Sequence, residues 1–232
     1  MKIIEFLQPG FDKHQTLNSL LWKNSTSLIP EIKEKLFKIA SHFKQYVDVD
    51  FPIIDIIITG GQTGKYYTAH SDIDLHLITD YNQIECDQEV AELFDTKRKL
   101  YQAEYDIKIK GIPVELYVED QRQPAKGGSY SIIHNKWIRQ STEPNKEIDN
   151  DEILKFSEKL STLINQALAS NDIEKLKDIK KQIWQFRQYG LSKDGEFGTA
   201  NLVFKTLRNS GILKSLLIRI KDLENKDLSI RQ

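Results

Sequence analysis

Two aspartates one residue apart, Asp72 and Asp74, follow a glycine pair, Gly60-Gly61, after ten intervening residues. The apolar run Ile53, Ile54, Ile56, Ile57, Ile58 leads into the glycines, and Ile73, Leu75 and Leu77 alternate with the acids. Side chains on a strand alternate between faces, so Asp72 and Asp74 share one face and the apolar residues point the other way, into a core. Two carboxylates at that spacing lie about 7 Å apart and repel each other unless a cation sits between them. Mg²⁺, a hard ion that prefers carboxylate oxygen and often bridges to substrate phosphates, suits such a pair. The glycines let backbone N–H groups come close to a phosphate. Phosphoryl-type transfer uses both features, because it needs charge neutralisation and alignment more than covalent help.

Gly60-Gly61, the ten-residue spacer and Asp72-Ile73-Asp74 resemble the signature of the polymerase-β-type nucleotidyltransferase superfamily, specifically over about residues 53–78 and more weakly over 104–120. The whole chain also resembles uncharacterised nucleotidyltransferase-like proteins carried by tailed phages, a likeness that supplies no reaction. The superfamily resemblance implies a glycine turn holding a nucleoside triphosphate such as ATP, two acids binding two Mg²⁺ ions (Mn²⁺ as a substitute), and a third acid from a nearby strand. Glu115 fits that third place: in Pro113-Val114-Glu115-Leu116-Tyr117-Val118 it stands on a strand whose other face is apolar. Asp106, Glu119 and Asp120 are its rivals. Asp106 shares a face with Lys108 and Lys110, which suggests an exposed edge, and the other two fall at a strand end. The implied site is thus Asp72, Asp74 and Glu115 as catalytic and metal-binding residues, with Gly60, Gly61, Thr63 and Ser71 contacting the nucleotide. Two departures stand out. Gly61 occupies a position where many members carry Ser, so Thr63, Thr68 or Ser71 would have to supply a hydroxyl. Glu115 replaces a common Asp and sets its backbone about one methylene further back.

Plainer readings stand beside these. Asp72 can cap a turn while Asp74 sits on a solvated strand face, and Gly60-Gly61 can be only a tight turn. Ser71 can orient a metal-bound water or phosphate, or cap the strand. Lys65 can touch phosphate or be solvated, and His76 can border the site or be structural. Lys205, Arg208, Lys214, Arg219 and Lys221 can bind triphosphate or RNA backbone, or form an ordinary solvated helix face. Trp137, Trp184 and Tyr189 can stack a base, although packing is the commoner fate of such side chains.

A chain of 232 residues with 39% hydrophobic and 29% charged residues has room for one large domain or two small ones, each with its own core. The net charge of −1 gives no global basic field for long duplex DNA or a membrane surface. Charge is nonetheless uneven: residues 151–232 carry 15 Lys/Arg against 11 Asp/Glu, a net of +4, leaving −5 for residues 1–150. The single cysteine, Cys86, cannot form an internal disulfide, which points to a reducing, cytoplasmic setting. With acidic Glu85 and Asp87 beside it, it reads as an inert thiol. Met1–Pro9 has too short an apolar run for a signal peptide, and no stretch reaches 18 apolar residues, so a membrane partner is not expected.

Several elements must position the site. Residues 1–27 show no period and read as a turn-rich lead-in. Pro30 opens a helix carrying Ile32, Leu36, Ile39, Ala40 and Phe43. Strands are predicted over 53–59 and 72–79, one helix or two short ones over 84–103, and a hairpin around Lys110-Gly111. Pro124, Gly127 and Gly128 mark a loop, and two short strands flank His134-Asn135. After residue 149 the period is helical throughout. Asn171 with Glu174 resembles a capping box, Gly190 reads as a helix end, and two more helices are expected over 199–209 and 212–221.

The expected fold class is α+β: a mixed-sheet nucleotidyltransferase core with flanking helices over 1–145, then a helical domain over 146–232. The expected function is Mg²⁺-dependent transfer of a nucleoside monophosphate from an NTP to a hydroxyl acceptor, releasing pyrophosphate. The acceptor stays open among an RNA end, another nucleotide, a protein side chain and a small molecule. The alternative is a non-catalytic nucleotide sensor or antitoxin-like interaction protein on the same fold.

Overall fold

The computed structural model describes residues 7, 10–84, 89–123 and 127–230. Cys86, Pro124 and most of the stretch Met1–Pro9 fall outside them. The architecture is α+β, with one six-stranded mixed sheet and six helices among the described residues. The chain divides into two compact units. Lys13–Glu143 holds the sheet with α1 (Pro30–Val47) and α2 (Val90–Glu104). Pro144–Gln232, together with the lead-in up to Asp12, holds α3 (Asn150–Ser170), α4 (Ile173–Asp194), α5 (Thr199–Asn209) and α6 (Ile212–Asp227). Among the described residues no helix is long and apolar enough to cross a membrane.

In the sheet unit, Pro30 starts α1, where a missing N–H does no harm, and Asp48 in the left-handed region ends it. Helical spacing places Ile32, Leu36, Ala40, Phe43 and Val47 on one buried stripe. That stripe packs with Phe94 and Tyr101 of α2 against Ile56, Ile58, Ile73, Leu75, Leu77, Val114 and Leu116, the apolar face of the sheet. Fully burying one such aliphatic side chain contributes ~1.5–3 kcal/mol, enough for the stripe to fix the register of each strand.

The strands are β1 (Asp55–Thr59), β2 (Ile73–Thr79), β3 (Lys108–Ile109), β4 (Ile112–Asp120), β5 (Ser129–Ser131) and β6 (Lys136–Arg139). Their spatial order is β3-β4-β2-β1-β5-β6. β1 and β2 are antiparallel, with Thr59 opposite Asp74. β2 and β4 are parallel, with Asp74 opposite Glu115 and His76 opposite Tyr117. A parallel pair needs a crossover, and α2 supplies it. Strand alternation then lines up Thr59, Asp74, His76, Glu115, Tyr117 and Glu119 on the face away from the core.

In the helical unit, Ile153, Ile164, Leu176, Ile183, Val203, Leu207, Ile212 and Leu216 form the core. Leu7 and Phe11 of the lead-in join this core, so the lead-in is split between the two units. Two local expectations are corrected. Asn171 is not a helix start: it adopts the left-handed conformation that ends α3, and Asp172 caps α4 by accepting from the N–H groups of Glu174 and Lys175. Gly190 does not end α4, which runs on to Asp194. A Cβ at Gly190 would lie 2.4 Å from Cβ of Ala200, so the glycine serves a close approach of α4 and α5.

Candidate metal centre

β1 runs out at Thr59, and Gly60 turns the chain with φ +75° into one turn of 3-10 helix, Gly60–Thr63. A Cβ at Gly60 would stand 1.9 Å from Asp74 Oδ2. No other residue type leaves room for the Asp74 carboxylate where it lies, so the glycine and the acid occupy one steric unit. At Gly61 a Cβ would lie 3.1 Å from Ser71 Oγ, which brings Ser71 to the edge of the same turn.

Asp72 precedes β2, Asp74 sits on it, and β4 carries Glu115 beside Asp74. One carboxylate oxygen from each of Asp72, Asp74 and Glu115 falls within 4.8 Å of the others, and all three residues are partly exposed. Opposite oxygens around one Mg²⁺ ion are about 4.2 Å apart, so the cluster spans close to one ion's coordination sphere. Like charges this close repel by roughly 3 kcal/mol per pair near a protein surface. An all-oxygen, triply anionic donor set fits a hard divalent cation, Mg²⁺ or Mn²⁺, and suits a thiophilic metal poorly.

Tyr117 supports the cluster. Its Oη donates to Glu115 Oε2 at 2.7 Å. Burial, then the Glu115 hydrogen bond, then the charges of Asp74 and Glu115 push the phenol far above its ordinary pKa, so it remains a donor. The Arg98 guanidinium lies 5.0 Å from the centre of the Tyr117 ring, and the His76 ring stacks on Tyr117 at 4.6 Å. His76 is buried, with Nε2 2.9 Å from Thr59 Oγ1 and Nδ1 3.0 Å from Glu119 Oε1, off hydrogen-bond geometry.

The turn itself is held by a residue that sequence reasoning passed over. Gln62 is 1% exposed; it accepts from Asn18 Nδ2 at 3.0 Å and donates to the Ser71 carbonyl at 2.9 Å. Trp22 Nε1 donates to the Gln62 carbonyl at 2.9 Å. The aperiodic lead-in therefore buttresses the glycine turn through Asn18 and Trp22. Their distance in sequence leaves no local signal of this, and the only hint is a glutamine between a glycine and a threonine in a segment that must be tightly packed. Thr63 is buried, and its hydroxyl donates to the Gly60 carbonyl at 2.7 Å, so it braces the turn. Ser71 Oγ accepts from the Thr68 N–H at 2.9 Å.

Of the rivals for the third acid, Glu119 lies on the same sheet face with Oε1 beside His76, while Asp106 and Asp120 are engaged elsewhere. Asp106 is an exposed partner of Lys108 at 2.6 Å beside edge strand β3. Asp120 is tied to Arg122 at 2.7 Å and to the Tyr81 N–H. Lys65 lines a cavity of about 170 Å³ beside the turn, with Thr63, Gly64, Tyr66, Ser141 and Glu143. Trp137 stacks on Trp22 at 5.0 Å, and Trp184 meets Phe204 edge-on at 5.1 Å, so both are packing residues. Tyr189 is 66% exposed. Arg219 donates to Asn171 Oδ1.

Compared with known proteins, the chain matches no family model, no curated protein and no solved structure.

Proposed function

We propose that the chain is a Mg²⁺-dependent nucleotidyltransferase, a reading carried by one observation: Asp72, Asp74 and Glu115 converge to within 4.8 Å beside a glycine turn whose Gly60 makes room for Asp74. In this reading a hydroxyl oxygen of the acceptor attacks the α-phosphorus of an NTP. The new O–P bond forms as the bond to the β-phosphate breaks, pyrophosphate leaves, and the hydroxyl proton passes to solvent. Asp72 and Asp74 would hold the cation, and Glu115, oriented by the Tyr117 hydroxyl, would complete the cluster. Mg²⁺ supplies charge neutralisation and a more acidic acceptor hydroxyl when bound. The Gly60-Gly61 backbone would offer its N–H groups to the phosphates, with the Asp74 carboxylate against Gly60 and Ser71 Oγ beside Gly61. The single cysteine makes a reducing, cytoplasmic setting part of the same proposal.

The test is incubation of the protein with each α-labelled NTP and Mg²⁺ or Mn²⁺, using total RNA and whole lysate as acceptors. Label transfer with pyrophosphate release, abolished in Asp72→Ala/Asp74→Ala, is the expected result. Metal-dependent NTP binding without transfer would replace this reading with a nucleotide sensor. Neither binding nor transfer would remove nucleotide chemistry altogether.

A further inference from the structure

Glu115 enters the acid cluster with one of its two oxygens already taken. Tyr117 stands two residues further along β4, on the same face of the strand, and its Oη donates to Glu115 Oε2 at 2.7 Å. A hydrogen bond to a carboxylate is charge-assisted and among the stronger ones. Burial first, then that bond, raise the pKa of the phenol, so Tyr117 stays a donor.

The ring that carries this hydroxyl is held by two further side chains. The His76 imidazole, buried on β2 opposite Tyr117, stacks on it at 4.6 Å with the planes 19° apart. The Arg98 guanidinium of α2 lies 5.0 Å from its centre and is itself tied to Asp95 at 2.6 Å. His76 is placed in turn by Thr59 Oγ1 at 2.9 Å. The hydroxyl therefore cannot leave Glu115 without displacing a stacked ring.

Divalent cations use a carboxylate differently according to their size. Ca²⁺ takes roughly six to eight oxygens at about 2.3–2.6 Å and readily chelates a carboxylate through both. Mg²⁺ keeps a near-octahedral shell at about 2.0–2.1 Å and retains several waters. Three carboxylates approach the higher count only by chelating through both oxygens. A Glu115 that did so would displace the Tyr117 hydroxyl and leave it unpaired.

We propose that Tyr117 sets the metal preference of the cluster: by holding Glu115 Oε2 it limits Glu115 to one metal bond and biases the site toward a small octahedral ion, Mg²⁺ or Mn²⁺, over Ca²⁺. The inference rests on the metal binding of the proposed function, and not on nucleotidyl transfer. Tyr117 is a positioning residue in this role, since it acts on the ion only through Glu115.

The test is Mn²⁺ binding to the full chain without nucleotide, followed by electron paramagnetic resonance and displaced by Mg²⁺ or by Ca²⁺. In the wild type Mg²⁺ should displace Mn²⁺ at lower concentration than Ca²⁺ does. Tyr117→Phe deletes only the hydroxyl, and should move the ratio of Ca²⁺ to Mg²⁺ affinity about tenfold toward Ca²⁺. In a Glu115→Gln background the same substitution should leave the ratio where Glu115→Gln alone puts it. Tyr101→Phe removes a second tyrosine hydroxyl, bonded to His42 on the core side of the sheet, and should keep the wild-type ratio. An unchanged ratio in Tyr117→Phe, the same shift in Tyr101→Phe, or a shift that persists without the Glu115 carboxylate would overturn the proposal. A wild type that binds Ca²⁺ as tightly as Mg²⁺ would overturn it even if Tyr117→Phe failed to fold. No Mn²⁺ binding by the wild type would remove the metal centre and this inference together. A shifted ratio in a protein that transfers no nucleotide would leave the inference standing and remove only the catalytic reading.

Discussion

Gly60→Ala separates a steric requirement from a catalytic one. The new Cβ would stand 1.9 Å from Asp74 Oδ2 and 3.0 Å from its Cγ, at a backbone φ of +75°. A left-handed conformation costs an L-residue about 1–2 kcal/mol. The clash adds little to that, because the carboxylate is the end of a side chain and can rotate away. Rotation withdraws Asp74 from the cluster, and disturbing a group that orients a metal ligand typically lowers metal affinity ~10–100-fold. The assay is a double-mutant cycle over Gly60→Ala and Asp74→Ala, read by urea unfolding in EDTA and by Mn²⁺ affinity from electron paramagnetic resonance. Gly60→Ala should lose about 1–2 kcal/mol of stability in either background, and should lower Mn²⁺ affinity only where Asp74 is present. Wild-type affinity in Gly60→Ala, or an equal loss in the Asp74→Ala background, would refute the idea that the glycine exists to seat that carboxylate.

Three further outcomes follow from the packing. Gln62→Leu strands Asn18 Nδ2 and the Ser71 carbonyl; each buried group left unpaired costs about 1–3 kcal/mol, which urea unfolding of the full chain should show as a lower midpoint. Gly190→Ala forces a 2.4 Å contact with Ala200, an overpacking cost of about 1–3 kcal/mol that Ala200→Gly should relieve, read as melting temperature. Asp120 is held well below the usual carboxylate range, first by its Arg122 hydrogen bonds and also by the N–H groups of Arg122 and Tyr81. A depressed folded-state pKa stabilises above the unfolded value of about 4 and loses that contribution as pH falls below it. Asp120→Asn should therefore lose stability at neutral pH and show a shallower further loss on acidification than the wild type; equal acid slopes would contradict this.

What could be read from the sequence was local. The pair Asp72 and Asp74, the glycine elbow before them and the alternation around Glu115 are short-range patterns that a strand imposes on its own residues. The meeting of Glu115 with Asp74 depends on parallel pairing across the α2 crossover, and alternation alone could only nominate it. Asn18, Trp22 and Gln62 were illegible because a buried amide and its partners, forty or more residues apart, leave no period. Gly190 misled because glycine marks a helix end and a close helix crossing equally well, and only the neighbouring Ala200 decides between them. Asn171 and Asp172 are both acceptable caps, and their roles were set by which one took the left-handed turn.

Mn²⁺ titration followed by electron paramagnetic resonance tests the central claim most directly, comparing the wild type with Asp72→Asn/Asp74→Asn/Glu115→Gln. The isosteric triple variant keeps the shape of the site and removes its charge. One or two saturable sites in the wild type, displaced by Mg²⁺ and absent from the triple variant, is the predicted result. Equal binding by both proteins, or none by either, would contradict it.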